Sequence, residues 1–139
     1  MIIDAKNAIA GRLASAIARK LLLGEKITII NAELALITGN PLYTKSKYID
    51  MRERGSPFHG PFFPKKPELI LKRIIRGMLP YKKPKGRNAM RRLKVYIGFP
   101  KSMEGKHIMI IEQSSREIKS KYMTLATLAK TLGWNPGTE

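Results

Sequence analysis

The chain contains no cysteine, which excludes disulfide bridges and thiolate metal sites and fits a reducing interior. Histidine is nearly as scarce: with only His59 and His107 available, a histidine-based metal cage is not expected, and no cofactor is. Long apolar runs are missing too. The longest, such as Leu21-Leu22-Leu23 and Ile108-Met109-Ile110-Ile111, fall far short of the ~18 residues needed to cross a bilayer. The start, Met1-Ile2-Ile3-Asp4, has no basic segment leading into an apolar block, so no secretory signal is expected. A cytoplasmic protein without a membrane partner is the reading these absences support.

Acidic residues are the most informative shortage. Against 27 Lys+Arg stand only 10 Asp+Glu, for a formal net charge of +17. The imbalance is local: residues 40 to 101 hold 17 basic side chains against Asp50, Glu53 and Glu68, while the other 77 residues carry 10 basic and 7 acidic groups. Like charges held within a Debye length of about 8 Å repel one another unless a polyanion neutralises them. The partner implied is nucleic acid.

At 139 residues the chain suits one domain, and a chain of this size buries roughly 70% of its extended surface. Ile2-Ile3 reads as a short buried strand. Ile9, Leu13, Ile17 and Leu21 then recur with helical spacing, with Asn7 as the expected cap and Gly24 as the stop. Lys26 to Asn31 is β-branched and nearly continuously apolar, so a strand covered on both faces follows. Strand, helix and strand within about thirty residues make a βαβ unit, and the class is α/β. Leu34 to Thr38 reads as a third strand. Only Ala32-Glu33 separate it from the second, too few for a parallel crossover, and spacing leaves its pairing open.

Asn40-Pro41 has the order of a cap and a first-turn proline, predicting a basic helix from Pro41 to about Glu53. Gly55 to Pro67 carries too many prolines and glycines for a regular element. Pro67 opens a helix with Leu71, Ile74, Ile75 and Met78 on one stripe and Lys72, Arg73 and Arg76 off it, ended by Gly77 and Pro80. A short helical piece around Arg87 to Arg92 precedes a fourth strand, Lys94 to Gly98. Thr124 then caps a helix at about 124–132 that Gly133 stops.

Lys82, Lys83, Lys85, Arg87, Arg91 and Arg92 fall within eleven residues that include no acid. Arg87 and Arg91, four apart on one helix face, cost a few tenths of a kcal/mol without a counter-anion; phosphate oxygens reverse that sign through charge-assisted bonds. The plain alternative is a solvated surface patch. Upstream, Phe58, His59, Phe62 and Phe63 sit among prolines and glycines, flanked by Arg52, Arg54, Lys65 and Lys66. Such rings stack on unpaired bases while cations hold the backbone, or else they pin the loop to the core. Lys45, Lys47, Arg73 and Arg76 complete the candidate RNA-binding set.

Catalytic constellations are weak. Asp50 and Glu53 are explained by a local ion pair to Arg54, and neither His59 nor His107 has a recognisable nucleophile partner. Gly11-Arg12 at a helix start lacks the spacing of a dinucleotide or P-loop motif. The competing reading, a nucleotide- or RNA-acting enzyme on an α/β core, rests on that turn and the parallel sheet alone, and a fold does not establish an activity.

Several segments together resemble the L-thirteen family of large-subunit ribosomal proteins. They are Gly11-Arg12-Leu13-Ala14-Ser15, Asn31-Ala32-Glu33, Thr38-Gly39-Asn40, Arg76-Gly77-Met78-Leu79-Pro80, Gly86-Arg87 and Leu93-Lys94-Val95-Tyr96-Ile97-Gly98. The resemblance implies a three-layer α/β/α core on a four-stranded, mostly parallel sheet that includes the third strand, with basic loop and helix extensions. It implies a non-enzymatic role binding large-subunit rRNA beside neighbouring ribosomal proteins, with no small-molecule substrate. Ser56 to Pro61 and the C-terminal helix look like the archaeal and eukaryotic branch, whereas the bacterial N-terminal extension and histidine-rich segment are missing. Both arguments place RNA on Arg76 and the run from Lys82 to Arg92, and Gly77 is expected to matter because a side chain there would obstruct the turn to Pro80.

Overall fold

A computed structural model describes residues 1–53, 64–111 and 121–135, the side chain of Arg52 aside. The elements run β1 (Ile2–Asp4), α1 (Ala10–Leu22), β2 (Ile27–Ile30), β3 (Leu36–Thr38), α2 (Pro41–Glu53), α3 (Pro67–Gly77), α4 (Pro84–Arg91), β4 (Leu93–Val95), β5 (Ile108–Met109), β6 (Tyr122–Thr124) and α5 (Leu125–Thr131). Short 3-10 turns at Ala32–Leu34 and Lys101–Met103 lie between them.

The middle layer is a parallel sheet in the order β4-β2-β1-β5. Its register sets Ile3 beside Ile29 and Ile29 beside Val95, so β-branched side chains line up across the strands. Ile3, Ile29 and Ile30 are wholly buried, as expected of parallel strands covered on both faces. The steps β1 to β2 and β2 to β4 move one way across the sheet; the step β4 to β5 moves back past β1. Right-handed crossovers therefore place the first two connections, which carry α1 to α4, on one face and the third, which carries only the 3-10 turn at Lys101–Met103, on the other. On the first face α1 packs against α3 and α4, and α3 packs against α5. Leu13, Ile17 and Leu21 of α1 meet Ile70, Leu71 and Ile75 of α3 in one core cluster with Ile3, Ile27 and Ile29. Each such side chain contributes about 1.5–3 kcal/mol on leaving water.

Three expectations need correction. The strand at Leu36–Thr38 is not in the parallel sheet: it pairs antiparallel with β6, Leu36 opposite Thr124, and among the described residues its one parallel contact is an isolated bridge from Leu36 to Ile9. Two residues cannot carry a parallel crossover, so the antiparallel pairing agrees with the spacing and not with what the resemblance implies. The place it left in the sheet is taken by β5, from an apolar run too short to announce itself as a strand. Asn7 does not cap α1; Ile9 holds that position, and Asn7, at φ 60°, donates its backbone N–H to the Leu34 carbonyl at 3.1 Å. Met78 lies past α3 and is exposed, while Leu79 is buried in its stead.

The stops and the other caps fall where the residues place them. Gly24 and Gly133 take positive φ just beyond α1 and α5, and the Thr124 hydroxyl accepts the Thr127 N–H at 3.2 Å. Asn40 accepts the Leu42 N–H at 3.0 Å through its side-chain oxygen. Among the described residues no helix is long and apolar enough to cross a membrane.

Leu71, fully buried where α3 meets the core, tests this packing. Leu71→Ala is expected to lower stability by about 2–5 kcal/mol in urea unfolding. An unchanged midpoint would mean that α3 is not part of the core.

Candidate nucleic-acid interface

The basic edge is built on α3 and α4. Pro67 starts α3, with Glu68 in the first turn and Arg76 in the last, each on the side that favours its charge in the helix dipole. Ile70, Leu71 and Ile75 turn inward. Leu69, Lys72, Arg73 and Arg76, spaced i, i+3, i+4 and i+7, form a second face that borders a cleft between α3 and α4.

Beyond Leu79 the chain folds tightly back. Lys83 donates its backbone N–H to the Pro80 carbonyl at 2.9 Å, and Pro84 opens α4. The first turn of α4 lies directly on this bend. A β-carbon at Gly86 would fall 2.0 Å from the Pro80 carbonyl oxygen and 2.7 Å from the Tyr81 nitrogen, so only glycine fits. At Gly77, by contrast, nothing lies within 4 Å of the corresponding position, which corrects the expectation that a side chain there would block the turn. Two side chains lock the bend. The Arg87 guanidinium donates to the Lys82 carbonyl at 2.9 Å, and that of Arg76 sits over the Tyr81 ring, 4.2 Å from its centroid.

This geometry gathers Lys82, Lys83, Lys85, Arg87 and Arg91 as exposed cations on one bend and one short helix, beside Arg76. Lys65 and Lys66 are exposed just ahead of α3, and Arg73 is half-buried on it. Lys47 is exposed and Lys45 half-buried on α2, which among the described residues makes no extended interface with α4. Arg92 turns inward: it donates to the Leu21 carbonyl at 2.5 Å, at the C-terminal end of α1 where free carbonyls gather. Its Nε is buried without a hydrogen-bond partner among the described residues. Arg54 and His59, with Phe58, Phe62 and Phe63, lie outside the described residues, as does the Arg52 side chain. Sequence reasoning left out Lys72 and Tyr81; the spacing from Leu69 to Arg76 contained the signal for the first.

Elsewhere the chemistry is sparse. Arg12 and His107 are exposed, and among the described residues no group of three His, Asp or Glu could hold a metal. A second hollow of about 270 Å³ lies where Gly11 meets Leu36, Tyr48 and Ile74, and burial pushes the Tyr48 hydroxyl above the ordinary value of 10.0.

The two glycines give a paired test. Gly86→Ala is expected to destabilise by about 1–3 kcal/mol, since the bend or α4 must shift. Gly77→Ala is expected to be neutral or to stabilise by up to about 1 kcal/mol. Thermal unfolding of both variants decides; equal effects would contradict the close approach.

The family model described as Ribosomal protein L13 matches residues 1–102. The chain is 47% identical over 135 residues to the large ribosomal subunit protein uL13 of Methanosarcina barkeri, covering 95% of this chain and 96% of that one. It is 46% identical to the protein of that name from Archaeoglobus fulgidus (96% and 87% covered) and 47% identical to that from Methanocaldococcus jannaschii (95% and 96%). With the parallel sheet in place and the basic bend mounted on it, these likenesses run nearly the whole length of the sequence, and the chain belongs to the ribosomal protein L13 family.

Proposed function

We propose that this protein is a structural constituent of the large ribosomal subunit in the cytoplasm, binding large-subunit rRNA mainly through phosphate contacts and performing no chemistry of its own. Its other partners are the neighbouring large-subunit proteins. The observation that carries the reading is the bend from Pro80 to Arg91. Five exposed cations, Lys82, Lys83, Lys85, Arg87 and Arg91, share it with no acid in between, on a backbone that Gly86 holds in place. Mutual repulsion makes such a cluster unfavourable alone, and a sugar-phosphate chain turns each repulsion into a charge-assisted contact. Lys65, Lys66, Arg73 and Arg76 extend the surface along α3, and Lys45, Lys47, Arg52, Arg54 and His59 are the candidates upstream. The relatives' names, all large ribosomal subunit proteins, support the same role. Arg92 is the exception among the candidates, because its guanidinium serves α1.

Affinity for large-subunit rRNA is expected to fall with salt at a log–log slope of roughly −0.7 to −0.9 per phosphate contacted. Replacing Lys83, Lys85 and Arg87 together by Gln should reduce that slope by about 2–3, while Arg92→Met lowers stability and leaves the slope alone. A salt-insensitive complex would contradict the proposal. α2 provides a second measurement: Thr44 is its buried polar anchor, and Tyr48 and Ile49 are half-buried. Its amides are expected to exchange more slowly once RNA is bound, and equal exchange in both states would remove α2 from the interface.

A further inference from the structure

We propose that the cleft between α3 and α4 receives one unstacked base of the bound RNA, so that the interface holds a base-accepting position as well as phosphate contacts. The proposal rests on the RNA-binding reading above. The cleft measures about 300 Å³ and, among the described residues, is lined by Pro64, Leu69, Lys72, Arg73, Arg76 and Met90. That is the lower end of the roughly 300–1,000 Å³ typical of small-ligand sites. Three of these residues are apolar and three are cationic, and the two kinds of surface call for one ligand that has both.

A phosphate alone would pair with Lys72 and leave the apolar surface wet. Leu69 remains 42% exposed on a helix whose inner side chains are fully buried, and Met90 is half-buried opposite it. A nucleobase has flat apolar faces, and its own phosphates stand a few bonds away at the height of the cationic rim. Acidic peptides also combine charge with apolar side chains, but two features favour a base. Arg76 lines the cleft while its guanidinium is already held over Tyr81, 4.2 Å from the ring centroid. Bases stack on guanidinium planes, and one fixed in advance loses little entropy on doing so. The exposed cations from Lys82 to Arg91 begin at the next residue after Tyr81, so a strand tracking them passes the mouth of the cleft.

Met90 supplies the readout. Full-length protein carrying ¹³C-methyl methionine would be titrated with hexaadenylate and with a hexamer of the same sugar-phosphate backbone lacking bases. Hexaadenylate is expected to shift the Met90 methyl by ring current and to bind about 5- to 150-fold more tightly than the baseless hexamer. Leu69→Gln, which wets the apolar side of the cleft, should abolish most of that preference and leave binding of the baseless hexamer unchanged. A Met90 methyl that stays still, or moves equally with both hexamers, overturns the proposal; so does a preference that survives the Leu69 substitution. Displacement of neither hexamer by an acidic peptide is expected, and a peptide that shifts Met90 where hexaadenylate does not would assign the cleft to a protein. Salt-dependent binding of large-subunit rRNA alongside a silent cleft would sink this inference alone, whereas loss of both would sink the wider reading.

Discussion

The basic edge of this molecule hangs on one close approach, the first turn of α4 lying against the Pro80–Tyr81 backbone with Gly86 at the point of contact. Backbone against backbone at that distance leaves no room for a side chain, and it sets where Lys82, Lys83 and Lys85 leave the bend and where Arg87 and Arg91 leave the helix. The position is anchored from beneath as well. Ala89 and Leu93 are buried, and Leu93 enters the sheet beside Ile27. The rigid parallel core thus orients the cations, although it contains none of them.

Holding so many like charges together is costly, and the fold limits the cost where it can. Arg92 is withdrawn to the carbonyl end of α1, where the helix dipole favours a cation. Arg76 sits in the last turn of α3, with the same benefit, and shares its charge with the face of Tyr81. The remaining cations stay in solvent, where screening weakens their repulsion. What is left on this surface is a set of exposed cations with no acid among them from Lys82 to Arg91, the surface to which the proposed RNA contacts are assigned.

Much of this was legible in the residues. The period of Leu13, Ile17 and Leu21, the β-branched run at Ile27 to Ile30, and the proline-led helices at Pro41 and Pro67 each announced an element that formed. The charge pattern likewise pointed to the bend at Lys82. The failures have physical reasons. A strand of two residues, Ile108–Met109, is too short for periodicity to register, and the partner of Leu36–Thr38 lies more than eighty residues away at Tyr122–Thr124, so neither sheet could be drawn from local spacing. Close packing misled in a similar way: Gly77 and Gly86 look alike in sequence, and only the path of the chain shows which one faces another backbone. Arg92 reads as one more member of a cationic run until the C-terminus of α1 arrives beside it.

The exposed lysines and arginines from Lys82 to Arg91 are proposed to face a sugar-phosphate chain. A structure of the assembled large subunit containing this protein decides whether they do. Phosphate oxygens within hydrogen-bonding reach of Lys83, Lys85 and Arg87, with Arg92 still turned to Leu21, are the predicted result. Those same side chains facing open solvent, or a protein neighbour, with no RNA strand beside the bend, would contradict it.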